Sequence, residues 1–286
     1  MRIGLCSSDF TTPTPCETMF KKMSEMKFKV TQFGMSSVLE IGLIPTKNIE
    51  IPWKVDGEVI KMIIKASEKY GVEITASNGT FNMAHPDPKI RNEGVERFEG
   101  FTDAAKAMGA QIISLCSGTR NPEYLWSPHP DNETDGAWND MFETAAKITK
   151  IAEKKGLTLA VETEAANVIN TPEKARKLMD DIGSHALKMI IDCANLFHIG
   201  KAHKENVRPT LKHAFEWFGK DIVSAHGKDI SDSDGIDYCP TGEGIIDYPY
   251  FIQLLNEYGY KGDMYLHTLH TEDKMIKARE IFEKLI

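Results

Sequence analysis

One phrase recurs along the chain and limits what it can fold into. "EKYGVEITAS" (68–77), "KAMGAQIISL" (106–115), "EKKGLTLAVE" (153–162) and "NEYGYKGDMYL" (256–266) each run a helix-like segment into a glycine and then start an apolar run of strand length. Glycine just past a helix end adopts the left-handed conformation that stops the helix. The helix-to-strand joint is therefore written at Gly71, Gly109, Gly156 and Gly259. A chain built from such joints alternates strands and helices, which is the grammar of a parallel α/β sheet.

Helical patterns fill the gaps. Apolar residues recur at three and four spacing over 58–70, 140–155, 171–182, 250–258 and 272–286. Thr171 followed by Pro172 reads as an N-cap with a first-turn proline. Strands are expected near 2–6, 29–34, 72–77, 111–116, 157–162, 188–192, 222–226 and 263–267. Eight strands alternating with eight helices suggest a closed (β/α)8 TIM barrel, one domain over residues 1–286. A doubly wound open sheet is the alternative, but "GLCSSDFTTPTP" after the first strand lacks the glycine fingerprint such folds carry. The longest loop candidate is 117–136.

Charge and cysteine content narrow the function classes. The net charge is −8, and the lysine-rich stretch "EKARKLMDD" is interleaved with acids, so nucleic acid is a poor partner. Five cysteines, none at C-x-x-C spacing, argue against a disulfide framework or a four-cysteine zinc site. They fit reduced thiols in a cytoplasmic protein. No apolar stretch reaches the length of a membrane span, and the start of the chain reads as a strand rather than a signal peptide.

The strand ends carry the chemistry. Alternate residues of a barrel strand point inward, and active sites lie at the C-terminal rim. In "LTLAVE" the inward parity of Thr158 and Ala160 ends in Glu162. "LKMIID" ends in Asp192, "DIVSAH" in His226 and "DMYLH" in His267, each on an inward parity. A lone polar strand end is more often structural than functional. Four in a row are harder to dismiss, because buried ionisable groups are rare unless paired or metal-bound. Carboxylates and imidazoles together suit Zn²⁺, Mn²⁺, Co²⁺ or Fe²⁺. Glu164 shares the parity of Glu162 and stays an alternative ligand.

Around these residues the sequence resembles the sugar-phosphate isomerase/epimerase family of the xylose-isomerase-like barrels, which includes ketose 3-epimerases and inosose dehydratases. The resemblance is carried by "NGTFNMAHPDPKIRNEG", "AMGAQIISLCSGTRNP", "LAVETEAANVINTPEKA", "IDCANLF", "AHGKD" and "PTGEGIIDY". It implies one divalent metal and no organic cofactor, held by a Glu, an Asp, a His and a Glu after strands five to eight. The first three fall on Glu162, Asp192 and His226, and the fourth falls on His267, an imidazole where that family carries a carboxylate. It also implies a small-molecule sugar substrate and leaves a homo-oligomer open. Where many relatives have a histidine three residues after the Asp, this chain has Asn195. The implied reaction removes a proton next to a carbonyl, with Glu162 as base and His267 returning the proton. An inosose-type dehydratase on the same metal site is the alternative, and a non-catalytic sugar-binding barrel a third reading.

Weaker candidates remain. Lys228, on the parity of His226, could polarise a carbonyl or bind a phosphate, or be a solvated rim lysine. Arg120 is a candidate for an anionic substrate group, weighed against a loop arginine paired with an acid. Trp126 could wall a sugar pocket or serve packing. His85 most simply positions its own loop, and Gly242 and Gly244 shape the turn before a helix starting near Asp247.

Overall fold

A computed structural model describes residues 1–10, 13–43 and 46–286. Eight parallel strands close into a barrel: Ile3–Cys6, Val30–Phe33, Glu73–Asn78, Ile112–Cys116, Thr158–Glu162, Leu187–Asp192, Ile222–Gly227 and Met264–Leu266. Neighbours in sequence are neighbours in the sheet, and the first strand pairs with the last through Ile3–Met264, Gly4–Tyr265 and Leu5–Leu266. Closure removes the exposed edges that an open sheet would leave. The open-sheet alternative is thereby excluded. An antiparallel pair of two-residue strands, Asp229–Ile230 and Tyr238–Cys239, lies outside the barrel in the excursion after the seventh strand.

Among the described residues, eight helices form the outer ring: α1 Cys16–Glu25, α2 Gly57–Tyr70, α3 Pro88–Ala107, α4 Asp135–Lys155, α5 Pro172–Ile182, α6 Val207–Phe218, α7 Tyr248–Glu257 and α8 Glu272–Glu283. All four joint glycines have positive φ, between 63° and 106°. Thr171 caps α5 by accepting the Lys174 N–H at 3.3 Å, a contact of about 1 kcal/mol. Two helices depart from the pattern read in the sequence. α4 starts at Asp135, because Thr134 accepts the Ala137 N–H and sets an earlier N-terminus. α3 buries Arg91, Gly94 and Arg97 beside Phe98 and Phe101, so its inner face is not an apolar stripe. Gly94 lies flat on the Phe81 ring, where a Cβ would come within 2.0 Å of a ring carbon.

The strand parities separate two cores. Leu5, Phe33, Ile74, Ile113, Leu159, Val161, Met189, Ile191, Ala225 and Leu266 face the helices in one large cluster. Cys6, Val30, Ala76 and Tyr265, with Ile112, pack together as the second cluster, in the barrel interior. The side chain of Tyr265 fills the lumen and bonds Thr75 at 2.6 Å. The interior is thus packed below, and within the barrel the open space lies at the C-terminal mouth. Among the described residues, no helix is long and apolar enough to cross a membrane.

Candidate active site

The ends of strands five to eight meet at the mouth. Asp192 pairs in register with His226, and Tyr265, two residues before His267, pairs with His226 as well. Asp192 Oδ2, a ring nitrogen of His226 and one of His267 lie within 4.8 Å of one another. Glu162 joins them through Oε2, 3.6 Å from His226 Nδ1. The four side chains read from strand parity are brought to one place.

Asp192 is fully buried, and its contacts show how a carboxylate is kept charged there. Oδ1 accepts the backbone N–H groups of Ala194 (2.8 Å) and Asn195 (3.1 Å), and Oδ2 accepts from His267 Nε2 at 2.9 Å. Burial pushes its titration up, but the Lys228 ammonium and the two imidazoles outweigh that and hold Asp192 well below the usual carboxylate range.

His226 is oriented from behind. Its Nε2 stands 3.1 Å from Gln32 Oε1, an oxygen that can only accept, so Nε2 carries a proton. Among the described residues its Nδ1 is buried without a hydrogen-bond partner, and it faces Glu162 Oε2 and Asp192 Oδ2, both at 3.6 Å. Atoms bound tetrahedrally to an ion at about 2.1 Å stand about 3.4 Å apart, so this spacing suits a metal. Two carboxylate oxygens and two imidazole nitrogens are a fitting donor set for Zn²⁺ or Mn²⁺. Burial works against a charge on His226, but Glu162 and Asp192 raise its proton affinity to about 9. The site attracts a cation, whether a proton or a metal.

Asn195 is the link between Glu162 and Lys228. Its Nδ2 donates to Glu162 Oε1 at 2.5 Å, and its Oδ1 accepts from Lys228 Nζ at 2.7 Å. An ammonium can only donate, so Lys228 decides which way the amide points. Lys228 also sits 3.3 Å over the Tyr238 ring. Glu164 points elsewhere: with Trp126 and Tyr238 it lines a cavity of about 670 Å³ above the site. Burial raises its carboxyl to about 7 against the pull of Lys228.

Other candidates fall outside this group. Arg120 donates to Asp140 at 2.6 Å and to the Ala84 carbonyl at 3.1 Å, and Arg91 takes the other oxygen of Asp140. It is the loop arginine paired with an acid, and it does not line the cavity. His85 holds its own loop through the Asp87 N–H and the Pro122 carbonyl. Gly242 and Gly244 donate to Asp229, which ties the excursion after strand seven to the start of α7, capped by Asp247.

Three residues were missed by sequence reading. Gln32, a polar residue closing the apolar second strand on the inward parity of Val30, had a readable signal. Asp9 accepts the N–H groups of Thr268 (2.9 Å) and Leu269 (3.1 Å) and so holds the turn after His267, where Thr268 takes φ 68°. Glu50 accepts from Trp126 Nε1 and from Asn78 Nδ2, both at 2.9 Å. Neither acid has a signal in the sequence, since Asp9 ends a single 3-10 turn and Glu50 lies in an irregular loop.

Residues 32–285 match the family model described as the xylose isomerase-like TIM barrel. The chain belongs to that family. Among curated members, an inosose dehydratase of Glaesserella parasuis serovar 5 is 24% identical over 217 residues, 68% of each chain. An L-ribulose-5-phosphate 3-epimerase of Escherichia coli is 21% identical over 223 residues, 78% of this chain and 72% of its own. Among solved structures, an IOLI protein with a bound zinc atom superposes with a TM-score of 0.75 at 16% identity, covering all of this chain and 98% of its own. The relatives of this chain thus include both dehydratases and epimerases.

Proposed function

We propose that this chain is a divalent-metal-dependent isomerase or epimerase of a small ketose or sugar phosphate. The observation that carries the reading is a buried carboxylate held in one orientation at the mouth: Glu162, gripped by Asn195 on Oε1 and facing His226 Nδ1 with Oε2. Glu162, Asp192, His226 and His267 would hold the metal. When bound, the ion supplies Lewis acidity that stabilises the negative charge of an enediolate.

The chain's own residues do the rest. Glu162 removes a proton from the carbon next to the carbonyl, and Asn195 keeps its carboxylate from rotating away. Lys228 fixes Asn195 and brings positive charge to the same corner. His267, bonded through Nε2 to Asp192, is the group that returns the proton.

A second reading, a dehydratase of inosose type, is favoured by His267 itself. With imidazole closing strand eight, removal and return of the proton are not symmetric between two carboxylates. An acid on that side suits protonation of a departing hydroxyl. The test is incubation of manganese-loaded protein with free and phosphorylated ketoses and an inosose in D2O. An isomerase or epimerase yields a rearranged sugar carrying solvent deuterium. A dehydratase yields a product lighter by one water. Protein that binds no metal and exchanges no deuterium into any ketone refutes both.

A further inference from the structure

The cavity above the site has a distinctive charge. Among the described residues, the ten that line it include one acid, Glu164, and no lysine or arginine. Its walls come from the loops after strands four to seven: Trp126, Ile199, Ile236 and Tyr238 supply apolar surface, and Glu164 and His198 supply polar groups. Trp126 is fixed there because Glu50 holds its ring N–H. A smaller cavity of about 140 Å³, across the mouth, is lined by Cys6, Ser8, Gln32, Glu50 and Asn78 among others, again with no basic side chain. Basic side chains line two other cavities: one of about 400 Å³ on the outer ring between α1 and α2, and one of about 640 Å³ between the starts of α6 and α7, where Arg208 is bonded to Asp247.

Two nearby cations are committed, while Lys201, two residues beyond Ile199, is exposed. Arg120 is held by Asp140, and Lys228 is buried beneath Tyr238 and bonded to Asn195. His198 Nε2 is engaged by the Asn170 carbonyl at 2.9 Å. Burying a phosphate or carboxylate without a charge partner is costly, and proteins that bind them supply arginine, lysine or a helix N-terminus. Hydroxyls need only hydrogen-bond partners, and a carboxyl side chain offers these in either protonation state. Apolar walls with a few placed polar groups are what small-molecule sites present, and this volume is within their usual range.

We propose that the substrate is an uncharged polyhydroxy ketone whose far end lies in the cavity between Trp126, Glu164, Ile236 and Tyr238, and that phosphorylated or carboxylated sugars are excluded. The proposal rests on the enolisation reading for the position of the carbonyl, and it narrows that reading to free sugars or cyclitols.

The experiment is calorimetric titration of manganese-loaded protein with L-ribulose and L-ribulose 5-phosphate, D-fructose and D-fructose 6-phosphate, and an inosose. A free ketone should bind at least about tenfold more tightly than its phosphate or than any phosphate in the set, a gap of about 1.4 kcal/mol. Ile236→Arg adds a cation to the wall and should close or invert that gap. Ile199→Arg, at a position 77% exposed and safe for folding, should narrow it in the same direction. A wild-type preference for a phosphorylated sugar, unchanged ratios in both variants, or no binding of any free ketone overturns the proposal. Deuterium exchange on the same samples keeps the two readings apart. Discrimination against phosphates without exchange in any ketone refutes enolisation and supports the uncharged ligand. Exchange with a preference for phosphates does the reverse.

Discussion

The two ends of the barrel both gather charged side chains, and they treat them oppositely. At the N-terminal end Arg2 grips both oxygens of Asp263 at 2.9 Å and reaches Glu73 at 2.8 Å. Lys188 and Arg176 take the two oxygens of Asp221 at 2.5 and 2.9 Å. Each of these acids is met by an arginine or lysine, and the groups are partly solvated. At the C-terminal mouth Glu162, Glu164 and Asp192 are buried with one lysine between them, and His226 Nδ1 is left facing two carboxylates. Charges neutralised within the chain hold strands together. Acids gathered in excess, on the packed platform of Tyr265, form the proposed cation site. The lesson is that function follows the imbalance, not the number of charged residues.

The contrast can be broken most strongly at Glu162. Glu162→Gln keeps the shape and the Asn195 neighbour but removes the base, so turnover and deuterium exchange should fall by about 10³-fold or more. Retained exchange would show that the base is elsewhere. Asp192→Asn should come next, lowering metal affinity by about 10²-fold as read by metal content after dialysis. Unchanged metal content would mean the mouth holds no ion through that residue.

His267 separates two roles. If it binds the metal and returns the proton, His267→Ala loses metal affinity and turnover together. If it only returns the proton, the variant keeps its metal and washes deuterium into recovered substrate while forming little product. Full activity with full metal content would leave His267 a polar strand end.

A pH series on metal-free protein sharpens the comparison further. The proton on His226 is held to about 9, above the ordinary histidine value of about 6.5. The stabilisation is fully present below about pH 6.5 and is lost as pH rises through about 9. Melting temperature should therefore fall across that window without metal, and fall less with saturating Mn²⁺, which takes the place of the proton. A flat profile without metal would contradict the clustered acids. The smallest effect is expected at the opposite end. Arg2→Ala should cost no more than about 1 kcal/mol, because the pair is half-exposed and screened, and turnover should be unchanged.

Much of this molecule was legible along the chain. Gly71, Gly109, Gly156 and Gly259 marked helix ends because a left-handed residue there is a local requirement. Strand parity placed Glu162, Asp192, His226 and His267 on the inner rim because the side-chain period of a strand is two, whatever the fold around it. α3 was harder to read, since its buried arginines and Gly94 break the apolar stripe.

What stayed hidden was pairing at long range. Gln32 and His226 are 194 residues apart, and Asp9 and Thr268 are 259 apart. No local pattern links such residues; closure of the sheet brings the second strand across from the seventh and the first beside the eighth. The same closure turned Arg120 toward Asp140 and Trp126 toward Glu50, choosing among roles that a loop sequence leaves equally open. The alternation of strands and helices and the chemistry at each strand end are written locally in the chain, because backbone conformation and side-chain period are properties of neighbouring residues. Which acids meet a cation and which are left in excess is settled on folding, because charge balance is set by every group brought within a few ångströms.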